Sequence, residues 1–267
     1  MINSIKNQII LLLVVFTLLP FVLRRIVAYP IIQRDLKTVI MEDLEITGHK
    51  QAELVSSWMR ERMKDTLVVA NNPYMAKSVE VTQKNKEYQG FLRYLEMVAA
   101  EYGYMGAFVS NEEGVITVST FEKIVGNNIS KTDYFRNAIK GKTFTTGVVP
   151  SETPLLNEYG ELEVDLPTML VAAPLKDSDE NIIGVVALRI HLGILSNLML
   201  SNKFGKTGET YLVNKDGFML TESRFSKHLK KEGIIQKRSA LELRLVNPET
   251  GELTTGIKQC IAGINGS

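Results

Sequence analysis

Residues Ile9 to Leu23 read IILLLVVFTLLPFVL, an apolar run interrupted only by Thr17 and Pro20. Fifteen helical residues span about 22 Å, short of the roughly 30 Å hydrocarbon core of a bilayer. Continuing through Arg24, Arg25 and the following IVAY lengthens the segment to 21 residues, 9 to 29. The arginines can snorkel to headgroups, and Tyr29 suits the interface. The run therefore predicts a membrane span over residues 8–29 behind a short tail, residues 1–7. A cleaved signal peptide would need small residues at an Ala-x-Ala-like site, where this chain places arginines. A buried core helix is the third alternative. Lys6 lies on one side of the run, and Arg24, Arg25, Arg34 and Lys37 on the other. That count alone would place the bulk of the chain in the cytoplasm.

From residue 30 to residue 72 only Gly48 weakens a helical pattern. Leu36, Val39, Ile40, Leu44, Leu54, Val55, Trp58, Met59 and Val68 recur mostly in steps of three and four, as on an amphipathic helix. Pro73 stops it. Such a helix, leaving a membrane, packs along a sheet or pairs with its own copy through Leu36, Val39, Ile40 and Leu44, which makes a homodimer the expected assembly. A second helix is expected from Asn85 to Tyr102. The pattern then changes to short runs bounded by Gly, Asn and Asp. Tyr104–Ser110 and Val115–Thr120 read as a hairpin. Thr132 caps a short helix, Asp133 to Lys140. Strands follow at Thr143–Val149, Thr168–Leu175 and Ile182–Leu192. The order predicts an α+β fold: a PAS-like five-stranded antiparallel sheet beside the long helix.

FVSNEEGVIT, around Gly114, has a counterpart in YLVNKDGFML, around Gly217. Each is a strand, a polar turn ending in glycine and a strand, which suggests a duplicated unit. A basic segment (Lys227–Lys237) and a possible strand (Leu241–Val246) follow the second copy. The sequence ends where a closing hairpin is expected, so the second module reads as incomplete.

Few motifs for chemistry are present. Cys260 is the single cysteine and the three histidines are scattered, which argues against a disulfide framework or a zinc site. Lysine and arginine number 31 against 30 acidic residues, no footprint for nucleic acid. Gly205-Lys206-Thr207 lacks the glycine a phosphate-binding loop needs five residues earlier, where Leu200 stands. No catalytic residue, cofactor or metal is expected. A membrane-anchored enzyme or a pilin-like subunit would be the competing classes; the first lacks a nucleophile and base, the second a glycine before Phe16.

SSWMRERMKDTLVVANNP, NEEGVITVST, DYFRNAIKGK, MLVAAPLKD followed by IIGVVALRIHL, and GKTGETYLVNKDGFMLTESRF together resemble the extracytoplasmic double Cache sensor of bacterial receptors. The resemblance implies two PAS-like modules on one long helix: a membrane-distal module over 73–200, which holds the ligand pocket, and an incomplete proximal one over 201–267. It also implies a cytoplasmic amino terminus with the sensing modules outside, in the periplasm, against the charge count. Such sensors serve histidine kinases, chemoreceptors and diguanylate cyclases; the sequence style leans towards histidine kinases, whose output domain would follow Ser267.

Amino-acid binders of this family carry Arg-x-Trp-Tyr at the start of the short helix. Here the stretch is Lys131-Thr132-Asp133-Tyr134, and only Tyr134 is kept. Where those binders hold a carboxylate in the last strand, this chain has Arg189. Strand alternation puts Ala187, Arg189 and His191 on one face and Val186, Leu188 and Ile190 on the other. The apolar set suits the long helix, leaving Arg189 towards the pocket. Arg189, with Lys131, Tyr134, Ser119 and Asp165 as further candidate contacts, predicts a small-molecule ligand, most simply an organic anion. The first N–H groups of the short helix would also favour an anion. Pairing of Arg189 with Asp165 is the competing arrangement.

Overall fold

The computed structural model describes residues 5–83, 85–151, 154–157, 160–201 and 207–264. The chain divides into two compact units, one up to Ala52 and one from Glu53 onwards.

In the first unit, α1 (Ile5–Leu23) leads through a wider π-helical turn at Arg24–Ala28 into α2 (Tyr29–Ala70). The apolar side chains of α1 are exposed throughout. Thr17 donates its hydroxyl to the carbonyls of Leu13 and Val14, which satisfies the polar group within the helix. The guanidinium of Arg25 lies 4.9 Å from the Tyr29 ring centroid. Among the described residues this is the one helix long and apolar enough to cross a membrane. Leu36, Val39, Ile40 and Leu44 are all exposed.

In the second unit, the remainder of α2 turns Val55, Trp58, Met59, Met63 and Leu67 inward, while Leu54 and Val68 are exposed. The inward set keeps mostly three- and four-residue steps. A 3₁₀ turn at Pro73–Val79 follows, capped by the Asn72 side chain, which accepts from Tyr74 N–H. Helix α3 (Tyr88–Tyr102) buries Tyr88, Phe91, Leu95 and Val98 and ends at Gly103, with φ of 70°. It starts three residues later than the sequence suggests, because turn bonds from Asn85 to Thr82 and from Tyr88 to Asn85 occupy the intervening backbone.

The sheet contains β1 (Gly106–Asn111), β2 (Ile116–Ser119), β3 (Phe144–Thr145) and β4 (Val149–Pro150), then the long strands β7 (Pro167–Lys176) and β8 (Ile182–His191). Its order is β2-β1-β8-β7-β3, with β4 also on β7, and each pairing is antiparallel. The side hairpin of β5 (Leu155–Leu156) and β6 (Leu162–Glu163) precedes β7. The expected single strand over Thr143–Val149 is split into β3 and β4. Between them the Thr146 side chain accepts the Leu170 N–H that a strand carbonyl would otherwise take.

Side-chain alternation gives the sheet two covered faces. Val186, Leu188 and Ile190 pack with Trp58, Phe91 and Leu95 on the α2–α3 side. Val185 and Ala187 pack with Phe108, Leu170 and Phe135 on the side of α4 (Asp133–Ala138). Burial of each leucine-sized side chain contributes about 1.5–3 kcal/mol.

Beyond β8 run α5 (Gly193–Ser201), α6 (Ser226–Lys231) and α7 (Thr255–Ile261). No extended strand forms among the described residues after Ser201; isolated pairings join Val213 to Met219, Phe218 to Arg244 and Val246 to Leu253. The expected strand over Leu241–Val246 is interrupted at once, because Leu241 adopts a positive φ of 65°.

The turns around Gly114 and Gly217 share one design. The Asn111 side chain accepts from Val115 N–H at 2.8 Å, and the Asn214 side chain from Phe218 N–H at 2.9 Å. Both glycines have φ near +80°, a region that suits glycine. Asp177 closes the β7–β8 turn onto Asn181 in the same way, with Glu180 at the positive-φ position. The motif is thus a general device of this chain's hairpins, and by itself it marks no duplication.

Candidate ligand-binding site

Strand alternation places Arg189 opposite Val186, Leu188 and Ile190, and the packing agrees. Ala187 lies in the apolar cluster under α4, so Arg189, two residues on, projects to the same side. Arg189 is half-buried. It pairs across the sheet with Gly106 on β1 and Leu170 on β7. Its Nη1 donates to the Thr168 hydroxyl at 3.1 Å, and Thr168 is fully buried.

Ser119 sits on the same face, one row away. It pairs with Phe108, which in turn pairs with Ala187. Ser119 is buried and its hydroxyl accepts from Phe121 N–H. Tyr134 reaches in from α4, half-buried, with its ring 6.3 Å from that of Phe108 and edge-on to it. Three of the five candidates, Ser119, Tyr134 and Arg189, therefore share the α4 face of the sheet.

Lys131 lies just before the Thr132 cap and is exposed. The cap also limits what α4 offers an anion. Thr132 Oγ1 accepts from Phe135 N–H, and Arg136 N–H bonds the Thr132 carbonyl, so fewer first-turn donors are free than the sequence suggests.

Asp165 does not join the cluster. It is exposed, with a φ of 62°, and its N–H bonds the Ser151 carbonyl. No bond from Asp165 to Arg189 occurs among the described residues; Arg189 Nη1 donates to the Thr168 hydroxyl.

Two residues around Arg189 and its strand partner Gly106 escaped the sequence reading. Thr168 is the first; strand register, once known, pairs it with His191 and brings it to the guanidinium. The second is Phe121. A side chain at Gly106 would run into its ring, so the aromatic covers the strand where Arg189 pairs. A glycine opening a strand was the available signal for such a close approach.

Behind this face, a polar cluster ties the sheet to α2. The Met105 N–H donates to the Arg189 carbonyl at 2.8 Å. Next to it, Tyr104 donates its hydroxyl to Asp65 Oδ2 at 2.7 Å, and Arg62 Nη2 reaches the same oxygen at 3.1 Å. The Arg62 guanidinium also lies 5.5 Å from the Tyr104 ring centroid and 5.7 Å from that of Trp58. Burial, then the bond to Asp65, pushes the Tyr104 phenol far above its ordinary range.

An antiparallel sheet with a short capped helix on one face and a long helix on the other is the arrangement of a PAS-like module. The sequence profile of the Cache domain family dCache_1 matches residues 32–259, and the chain belongs to that family. Its role is that of a ligand-sensing input region.

Solved structures share the fold at low identity. The sensory domain of the Campylobacter jejuni chemoreceptor Tlp3 (CcmL) with isoleucine bound superposes with a TM-score of 0.55 at 15% identity, covering 78% of this chain and 79% of that one. The ligand-binding domain of the Pseudomonas aeruginosa PAO1 amino acid chemoreceptor PctC, in complex with GABA, gives 0.51 at 18% identity over 74% and 78%. The sensor domain of the V. cholerae histidine kinase DctB gives 0.50 at 14% identity; the match covers 62% of this chain and only 61% of the DctB domain. No curated protein sequence matches.

Proposed function

We propose that the chain senses a small organic anion outside the cytoplasm and passes the signal along α2 into a membrane receptor. The observation that carries this reading is Arg189, half-buried on the α4 face of the sheet that Ser119 and Tyr134 also share. A guanidinium can grip a carboxylate with two parallel hydrogen bonds. The neighbours solved with isoleucine and GABA hold ligands that carry a carboxylate, the group Arg189 would engage. Residues 73–200 would form the distal module, and residues from 201 onwards would belong to a proximal one. The apolar helix around Ile9–Leu23 would anchor the chain in the plasma membrane.

The signalling route follows from two bonds. A ligand that draws on Arg189 shifts β8, whose carbonyl at Arg189 holds Met105; Tyr104, next in sequence, holds Asp65 on α2. The response is bounded by the ligand's differential affinity for the two arrangements, typically about 1–3 kcal/mol.

Calorimetry against a panel of mono- and dicarboxylates and free amino acids tests the ligand class. Loss of a buried charge partner costs roughly 2–5 kcal/mol, so Arg189→Ala should weaken a carboxylate hit at least about thirtyfold. A hit that survives Arg189→Ala, or a clear preference for amines, would refute the assignment.

The output is proposed to be a histidine kinase. A chemoreceptor is the second reading, favoured by the likeness to Tlp3 and PctC, both named as chemoreceptors. In either case the receptor would be a homodimer joined through Leu36, Val39, Ile40 and Leu44, which α2 leaves exposed. Ile40→Asp combined with Leu44→Asp places two charges on that seam. The double variant should lose most crosslinking between copies; crosslinking equal to the parent would place the contact elsewhere.

A further inference from the structure

A second polar cleft opens in the unit that starts at Glu53, between the β8 end of the sheet and the segment carrying α6. Its volume is about 770 Å³, within the range of small-molecule sites. One wall holds Glu163 on β6 and His191 at the end of β8; the other holds Glu222, Arg224, Lys227 and Lys230. In all, five lysines and arginines face three carboxylates.

The acids are committed to partners within the protein. Glu222 accepts from the Ser226 and Ser239 hydroxyls at 2.9 and 2.8 Å and from the Ser239 and Ala240 N–H groups. Glu163 pairs with Arg238 and with Lys237, the latter at 3.6 Å. Glu161 takes a long bond from the Asn157 amide at 3.5 Å. Beyond Lys237 and Arg238, the three remaining cations are less committed. Lys227 and Lys230 stand one turn apart on α6 and form no ion pair with a described residue. Arg224 is half-buried, held by Nη1 on the Gly208 carbonyl at 2.7 Å and stacked over Phe225 at 5.3 Å. One side of that guanidinium is thereby fixed, and its remaining donors keep a defined place in the wall.

We infer that this cleft is a second binding site, separate from Arg189, for a small multivalent anion of the di- or tricarboxylate or phosphorylated class. A concave wall with excess positive charge concentrates such ions. Arg224 supplies a pre-oriented fork, and the two lysines supply mobile charges at the rim. An anion held between α6 and the β8 end would brace the two walls, so occupancy would stiffen the junction that follows the sheet.

The test uses the full chain in nanodiscs of zwitterionic lipid, titrated calorimetrically with citrate and with pyrophosphate at constant ionic strength. One anion should bind per chain, with affinity reduced by roughly tenfold or more in the Lys227→Gln, Lys230→Gln double variant. Both lysines are exposed, so that variant should melt at the parent temperature by circular dichroism. Arg189→Ala should leave this binding unchanged. Absence of binding at millimolar anion, or equal affinity in the double-lysine variant, would overturn the second site. Loss in Arg189→Ala alone would place the anion in the first site, overturning this inference while sustaining the proposed function. A second titration in discs of anionic lipid separates the two sources of anion: loss of citrate binding there would assign the lysines to headgroups and likewise overturn it.

Discussion

Asp65→Asn should destabilise the chain by about 3 kcal/mol or more, measured by urea denaturation, because it strands a guanidinium that is nearly out of water. Arg62 and Asp65 side chains are only 15% and 21% exposed. One carboxylate oxygen serves both the Arg62 guanidinium and the Tyr104 hydroxyl. Asparagine offers an oxygen of similar shape without the charge, so geometry is kept and the ion pair is lost. Removing both charges through Arg62→Leu with Asp65→Leu should recover much of the cost, since the desolvation of two charges also disappears. A cost below about 1 kcal/mol for Asp65→Asn would mean that the pair behaves as a solvated surface bridge.

The same cluster carries a pH signature. Tyr104 is protonated when it donates to Asp65, and its folded-state pKa is raised by burial and by that bond. Its contribution to stability is therefore full below the unfolded-state value of about 10 and is lost as pH rises beyond it. The parent should weaken above about pH 10, and Tyr104→Phe should flatten that part of the profile. In the proposed signalling route this cluster is the grip between sheet and helix, so Asp65→Asn should also reduce output at saturating ligand.

How much of this was legible in the sequence depends on how local each determinant is. The alternation in IIGVVALRIHL is a two-residue rule, and it placed Val186, Leu188, Ile190 and Arg189 on the faces they occupy. The Thr132 cap is a three-residue rule, and the cap forms. Along α2 the apolar positions were read as one stripe, yet Leu54 and Val68 are exposed while Val55, Trp58 and Met63 pack on the sheet. Composition alone does not select between adjacent helix faces; the position of the sheet does. The break in the third predicted strand turns on one hydroxyl, Thr146, substituting for a carbonyl. Charge alone pairs Asp165 with Arg189, yet Asp165 lies exposed with a φ of 62° and its N–H on the Ser151 carbonyl. The Tyr104–Asp65 contact joins residues 39 positions apart, and no local pattern announces it.

Gly184→Val should cost the fold roughly 3 kcal/mol, at or beyond the upper end of the usual 1–3 kcal/mol for overpacking a core. Gly184 lies on β8 between two neighbours, paired with Asn111 on β1 and Leu175 on β7. A Cβ there would collide with the Ser110 carbonyl oxygen and come within 2.8 Å of Val79 Cγ1. The oxygen belongs to backbone in a sheet ladder, so it cannot swing aside as a long side chain would. Relief requires β1 and β8 to part, which breaks the bonds that align Gly106 with Arg189 further along the same pair. The variant should therefore lose carboxylate binding together with stability, although Gly184 lies five residues from the arginine. Gly48→Ala is the control: Gly48 is exposed and has nothing within 4 Å of an added Cβ, and alanine in a helix interior should stabilise by up to about 1 kcal/mol. If Gly184→Val melts within about 1 kcal/mol of the parent, the β1–β8 pair yields more readily than its packing implies, and β8 can slide without rupture when ligand draws on Arg189.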